Sequence, residues 1–244
     1  MSVLRNIGVI LFGASLIITM SGFSHAKEKV IAYTGYLPPL SINSHQKGIA
    51  VELMELVAEE ADIDLDIRFT PWKRAQVLTQ NTPGSLIFSM AATKERFKTY
   101  DYIAPLIYTE SAFVTLDQPI NTFENAVATG KVIGVHRGSQ RSKILQRNGL
   151  VNLAEVSSPE QITAMLHVGR IDAWYTMSVR ASYMMKKLGH NPERLIIGSP
   201  LSHGMQWLAA NKDIDPELKA RLSSAISKVW RDPRYWQIVD GYAK

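Results

Sequence analysis

The apolar runs of this chain predict an α/β protein built as two similar lobes with a cleft between them. Three observations carry that expectation. Short strand-like runs alternate with stretches of helical period, which implies mostly parallel sheets flanked by helices. The alternation breaks at Asp117-Gln118-Pro119 and then starts again. Each series is also small, at roughly 100 residues, which suits a lobe better than a large independent domain.

In the first series, Val30, Ile31, Ala32 and Tyr33 make a short strand ended by Gly35 and Pro38-Pro39. Residues 51–61 have helical period, with Leu53, Leu56, Val57 and Ala61 on one face. Leu65, Ile67 and Phe69 alternate with polar residues as a second strand, and Pro71 permits a helix start over 72–79. The run 86–92 is a third strand. A strand over 111–116 leads into the break.

The second series opens with a strand over 132–135, a turn at Gly138-Ser139 and a helix beginning at 142–146. Residues 151–156 are extended and 159–168 helical, with Gly169 as the stop. A strand over 171–175, a helix over 180–188 and a strand over 195–197 complete it. Residues 205–209 read as a further strand, and 216–229 as a helix with Leu218, Leu222, Ile226 and Val229 on one face. The expected first lobe is 27–112 plus the return from 203 to 244, and the second is 116–198. Chain crossings near 111–116 and 199–203 would form the hinge.

The N-terminus has the build of a cleavable leader, residues 1–26. Arg5 supplies a positive start, residues 7–20 an apolar core, and Ser24-His25-Ala26 a small-x-small cleavage site. The apolar stretch is shorter than the ~20 residues a spanning helix needs. No cysteine lies beside the cleavage site, which excludes lipid attachment there, so a soluble protein outside the cytoplasm is expected. The chain contains no cysteine at all, so its fold is held by its core rather than by disulfides. The net charge of +5 is dispersed, without runs of like charge, which argues against nucleic-acid binding. The six histidines show no metal-ligand spacing, and no nucleophile elbow, phosphate loop or dinucleotide fingerprint is present. No metal and no cofactor are expected.

The most informative segment follows the third strand. Thr93, Glu95 and Arg96 open a charged turn or short helix at that strand's carboxyl end, closing at Ala104-Pro105-Leu106. Such a corner suits a carboxylate, because a guanidinium forks onto two oxygens and unpaired N–H groups add donors. Ligands of parallel sheets sit at these carboxyl ends, here the loops at Tyr36, Trp72, 89–96 (including Ser89) and 137–142.

These pieces resemble the family-3 extracytoplasmic, or periplasmic, solute-binding proteins that take up polar amino acids. The resemblance rests on Gly35-Tyr36 with Pro38-Pro39, on 48–53, on Pro71-Trp72-Lys73-Arg74-Ala75, and on Thr93-Lys94-Glu95-Arg96 with Pro105. It continues with Gly134-Val135, Gly138-Ser139, Gly169 and Asp172-Ala173. It implies a type II periplasmic binding fold with a two-crossing hinge that closes on a small solute, a monomer, and an inner-membrane permease or sensor kinase as partner. It implies Arg96 as the grip on a ligand carboxylate, Tyr36 as an aromatic cover, and Ser139 and Gln140 as a turn whose N–H groups hold the same carboxylate. Two positions depart from the family's amino-acid sites. Ala91 stands where a threonine hydroxyl is usual, and Met177 where an acid usually meets the α-ammonium.

Competing readings of single residues complete the set. Arg96 could instead pair with Glu95 or Asp101. Trp72 and Arg74, two apart at a helix start, point in different directions, so one faces the cleft and the other packs. Arg141 could supply a second cationic contact but is expected to be solvated, and Asp172 is expected to be structural. Trp174 and Tyr175 alternate on one strand, so one is core and the other nearer the cleft. A catalytic reading, as in dehydratases resembling these binding proteins, would draw on Glu52 or Glu110.

Overall fold

The structure, a computed structural model, describes residues 26–243, so the expected leader lies outside the described residues apart from Ala26. Among them, no helix is long and apolar enough to cross a membrane.

The chain opens with β1 (Glu28–Thr34), α1 (Ile49–Glu60), β2 (Ile63–Phe69), α2 (Trp72–Asn81) and β3 (Leu86–Ala91). β1 lies between β2 and β3 and is parallel to both. Helix α1 buries Leu53, Met54 and Val57, the last lying four and three residues on from the other two, as its amphipathic period requires. Its first N–H groups find carbonyls in the preceding turn: Ile49 N–H donates to Pro39 at 2.9 Å and Ala50 N–H to Leu40 at 2.7 Å. Gly48 makes this approach feasible. Its φ is 114°, and a Cβ there would meet the Pro39 oxygen at 2.7 Å. The helix start therefore fixes the 37–41 turn.

Next come α3 (Lys94–Phe97) and β4 (Asp101–Thr115). Then follow α4 (Phe123–Ala128), β5 (Ile133–His136), α5 (Gln140–Arg147), β6 (Leu153–Val156), α6 (Pro159–His167), β7 (Ala173–Met177) and α7 (Ser178–Lys187). The chain finishes with β8 (Ile196–Ile197), β9 (Ser202–Ala210), α8 (Pro216–Val229) and α9 (Pro233–Ala243). β5 is parallel to both β6 and β7. The expected parallel series are present on either side of the molecule.

What joins them is β4. Residues 101–111 pair antiparallel with β9, and residues 111–114 pair antiparallel with β7. All strands thus belong to one sheet in the order β2-β1-β3-β9-β4-β7-β5-β6, with β8 on β4. The strand expected over 111–116 is only the end of this longer one. Its first part escapes period-2 reading because Pro105 interrupts it and the register shifts between Tyr102 and Ala104 and again between Pro105 and Ile107. Helices α4 and α9 were likewise not anticipated.

The apolar cores remain separate. One gathers Leu53, Phe88, Leu208 and Leu222 around α1 and α8; another gathers Phe113, Ile133, Leu145 and Tyr175 on the far side of β4. Fully burying side chains of this size contributes roughly 1.5–3 kcal/mol each, enough to hold a protein without disulfides.

Candidate ligand cleft

The carboxyl ends of both parallel series face a common cavity. Leu37, Leu40, Trp72, Ser89, Ala91 and Arg96 line it from the first series; His136, Ser139, Gln140, Arg141, Met177 and Arg180 line it from the second, and Gln206 comes from β9. An adjoining cavity shares Ala91, Gln140, Arg141 and Gln206 and extends along β4 and β9 past Thr109, Ser111 and His203.

Arg96 is placed by its own short helix. Thr93 caps α3, its hydroxyl accepting the Arg96 N–H at 3.2 Å. The guanidinium then folds back, Nη1 donating to the Ala91 carbonyl at 2.9 Å, where the Tyr102 hydroxyl also donates at 3.0 Å. Neither alternative partner holds it: Glu95 lies 3.6 Å from Arg147, and Asp101 pairs with Lys219 at 2.7 Å. Burial lowers the Arg96 pKa from its usual value.

Two further guanidiniums enter from the other side. Arg141, which the sequence leads one to expect in solvent, is part-buried and donates from Nε to the Ser111 hydroxyl at 2.7 Å. Its position follows from Ser139, whose hydroxyl caps α5 and turns the first helical residues toward the cavity. Arg180, on α7, is only 4 % exposed. It reaches across to the 37–41 turn, donating to the Pro38 carbonyl at 2.6 Å and the Leu37 carbonyl at 3.4 Å. Burial lowers Arg141 to about 10; burial and then repulsion from Arg141 lower Arg180 to about 9. Both stay charged at neutral pH. Burial, then Arg180 and Arg141, push His136 down to about 4, so its ring is neutral there.

Ser89 is buried, its φ is 61°, and its hydroxyl has no hydrogen-bond partner. A non-glycine residue in the left-handed region is uncommon, and here it sits in the cavity wall. Of the residues singled out from sequence, Arg96, Trp72, Ser89, Ala91, Ser139 and Gln140 meet in this cavity.

Three do not line it. Arg74 is exposed on α2, two residues beyond Trp72 and so on a different face. Tyr175 is fully buried in the second core and donates to the Ser202 hydroxyl at 2.9 Å; its neighbour Trp174 is buried in a separate core, so neither ring of that pair faces the cleft. Tyr36 projects between the lobes instead. Its hydroxyl donates to the Glu160 carboxylate and accepts from Lys187 Nζ at 2.5 Å, with Lys187 and Glu160 paired at 3.0 Å. Asp172 accepts the Val132 N–H at 2.7 Å, a strand-entry role. Glu52 and Glu110 bond Tyr242 and Tyr108 respectively and line neither cavity.

Sequence reasoning missed Arg180 and His136. The signal for Arg180 was a cation on the apolar face of a helix, one turn before Met184 and beside Ala181, both fully buried. A cation in such a place has a partner or a purpose.

A sheet of two parallel series, joined by crossing strands and carrying its cavity between them, defines a two-lobed α/β binding protein. The chain matches the model of the bacterial extracellular solute-binding proteins, family 3, over residues 30–244, and belongs to that family. Among curated proteins it is similar to the probable amino-acid-binding protein YxeM of Bacillus subtilis (strain 168), with 23 % identity, covering 87 % of this chain and 82 % of the relative. Among solved structures it is similar to a histidine kinase sensor domain that itself resembles periplasmic binding proteins, with 18 % identity, a TM-score of 0.75, and 88 % and 95 % of the two chains covered. It is also similar to an ancestral arginine-binding protein bound to arginine, with 19 % identity, a TM-score of 0.74, and 89 % and 99 % covered. At these identities the structural likenesses show the fold: the two-lobed periplasmic binding protein fold.

Proposed function

We propose that this protein binds a small carboxylate-bearing solute in the periplasm by closing its two lobes, residues 27–112 with 203–244 and residues 116–198, about a hinge at 111–116 and 199–203. The carrying observation is Arg96, a guanidinium set in the interlobe cavity by α3 and free of any carboxylate partner among the described residues. A carboxylate bridging it to the Ser139-Gln140 turn at the α5 start would draw the lobes together and stabilise the closed state by its differential affinity. The passage of β4 from β9 to β7 at Ser111 supports the hinge, because lobe motion there bends a continuous strand rather than breaking a core. The leader expected at residues 1–26 would deliver the protein to the periplasm as a monomer, and an ABC-type permease would read the closed shape. Likeness to a kinase sensor domain favours one second reading, in which the loaded protein addresses a membrane signalling partner.

The site is tested by Arg96→Ala, which should abolish ligand-induced thermal stabilisation, against Arg147→Ala, which should leave it intact. Arg147 pairs with Glu95 at the exposed surface and lines neither cavity. Equal loss in the two variants, or no loss in either, refutes the assignment.

A further inference from the structure

The cavity is charged on one side of the ledger only. Arg96, Arg141 and Arg180 all line it, and among the described residues no aspartate or glutamate does. The protein groups that these guanidiniums meet are neutral: the Ala91, Pro38 and Leu37 carbonyls and the Ser111 hydroxyl. Buried cations require counter-charge, and one removed from water without it is costly. Repulsion between Arg141 and Arg180 also lowers the pKa of Arg180, so the two feel one another directly. A zwitterion has no net charge with which to offset this excess. Its ammonium would find no anion in the lining: Met177, 1 % exposed, Leu37, Leu40 and Trp72 are uncharged, and Ser89, Ser139, Gln140 and Gln206 offer only neutral acceptors. None of these supplies the negative charge that a buried ammonium needs.

We propose that the cleft takes a small dicarboxylate, a solute with two anionic groups and no ammonium. The inference rests on the carboxylate reading above and deepens it: one carboxylate lies at Arg96, the second between Arg141 and Arg180, each able to receive a forked guanidinium. Ser89, whose buried hydroxyl has no partner, supplies a neutral donor in the same wall.

The experiment is a thermal-shift and calorimetric screen of the purified protein, unfolded and refolded to remove carried-over ligand, at constant ionic strength. The probes are succinate, glutarate, succinamate, inorganic phosphate, L-alanine, L-glutamine and L-arginine. Stabilisation by succinate or glutarate and none by the amino acids supports the proposal. Amino acids binding while dicarboxylates stay silent overturns it and leaves the carboxylate reading standing; phosphate alone overturns both the dicarboxylate class and the fork at Arg96. Silence from every probe counts against the binding reading itself. Met177→Asp places an acid in the wall and should weaken the preferred dicarboxylate about 100-fold. If that variant does not fold, Arg141→Gln gives the same reading: succinate should lose about 100-fold and succinamate, which lacks the second charge, only a few-fold. Equal losses for the two overturn the assignment of the second carboxylate.

Discussion

Two regions join the lobes of this protein, and they are built on opposite principles. At Tyr36, Glu160 and Lys187 the crossing is complete in itself: a hydroxyl, an anion and a cation satisfy one another, and the Glu160 pKa ends below its ordinary value despite burial, because Tyr36 and Lys187 donate to it. At Arg96, Arg141 and Arg180 the crossing is incomplete: three cations face one cavity with carbonyls and a hydroxyl for company. The first can hold the lobes together without a solute. The second leaves three guanidiniums in one cavity without a carboxylate partner among the described residues, although Arg180 also reaches across to the Pro38 and Leu37 carbonyls. The difference separates a contact that is satisfied whatever is bound from one whose charge an anionic solute, as proposed above, would complete.

The comparison breaks most sharply at Arg180, which belongs to both closure and charge. Arg180→Gln should lower solute affinity by about 100-fold while changing the unliganded melting temperature little. Loss of the bonds to the Pro38 and Leu37 carbonyls destabilises, and relief of repulsion with Arg141 offsets it. Calorimetry with a bound solute and melting without one check the two halves. A large drop in unliganded stability with affinity unchanged would make Arg180 a strut rather than a ligand contact.

His136, in the wall of the same cavity, reads the same field. Its ring is held near 4 by burial and by Arg180 and Arg141, whereas in the unfolded chain it titrates near ~6.5. Between those values the unfolded state binds more protons, so stability should fall as pH drops from about 6.5 to 4, by about 3 kcal/mol from this group. His136→Asn should remove that part of the slope in denaturant midpoints measured against pH. A bound dianion would offset the guanidiniums, raise the His136 pKa and flatten the slope in the wild type. An unchanged slope with solute bound would mean that the anion sits away from this ring.

The fold was legible in sequence wherever local period and burial agree. Helices over 51–61 and 216–229 and the strands Val30 to Tyr33 and Leu86 to Ala91 show their faces plainly, because each packs one stripe or both faces on a core. β4 was legible only at its end: where two sheets share a strand, bulges and Pro105 replace simple alternation. The site divides in the same way. Arg96, Ser139 and Gln140 stand in local motifs of cap and turn, so their neighbourhood follows from the chain itself. Arg180 and the displacement of Tyr36 to the latch depend on partners more than 100 residues away, Pro38 for Arg180 and Glu160 for Tyr36, and His136 feels Arg180 from another element of the second series. No window of sequence contains them.

The smallest of the effects tests the latch. Tyr36→Phe keeps the ring and removes only the hydroxyl that joins Glu160 and Lys187 to the first lobe. The Glu160–Lys187 pair remains within the second lobe, at the surface, where such pairs contribute little. A hydrogen bond to a charged group is worth about 1.5–3 kcal/mol, and with Glu160 and Lys187 each about one-third exposed this crossing is worth about 1 kcal/mol, so closure should weaken by roughly five-fold. That loss should appear equally for every solute that binds, because the hydroxyl touches none of them. Affinity ratios among solutes should therefore stay constant in calorimetry, while small-angle scattering shows a more open unliganded protein. If Tyr36→Phe instead changes the ratios, the ring faces the solute as the sequence resemblance implied, and latch and cleft are one region rather than two.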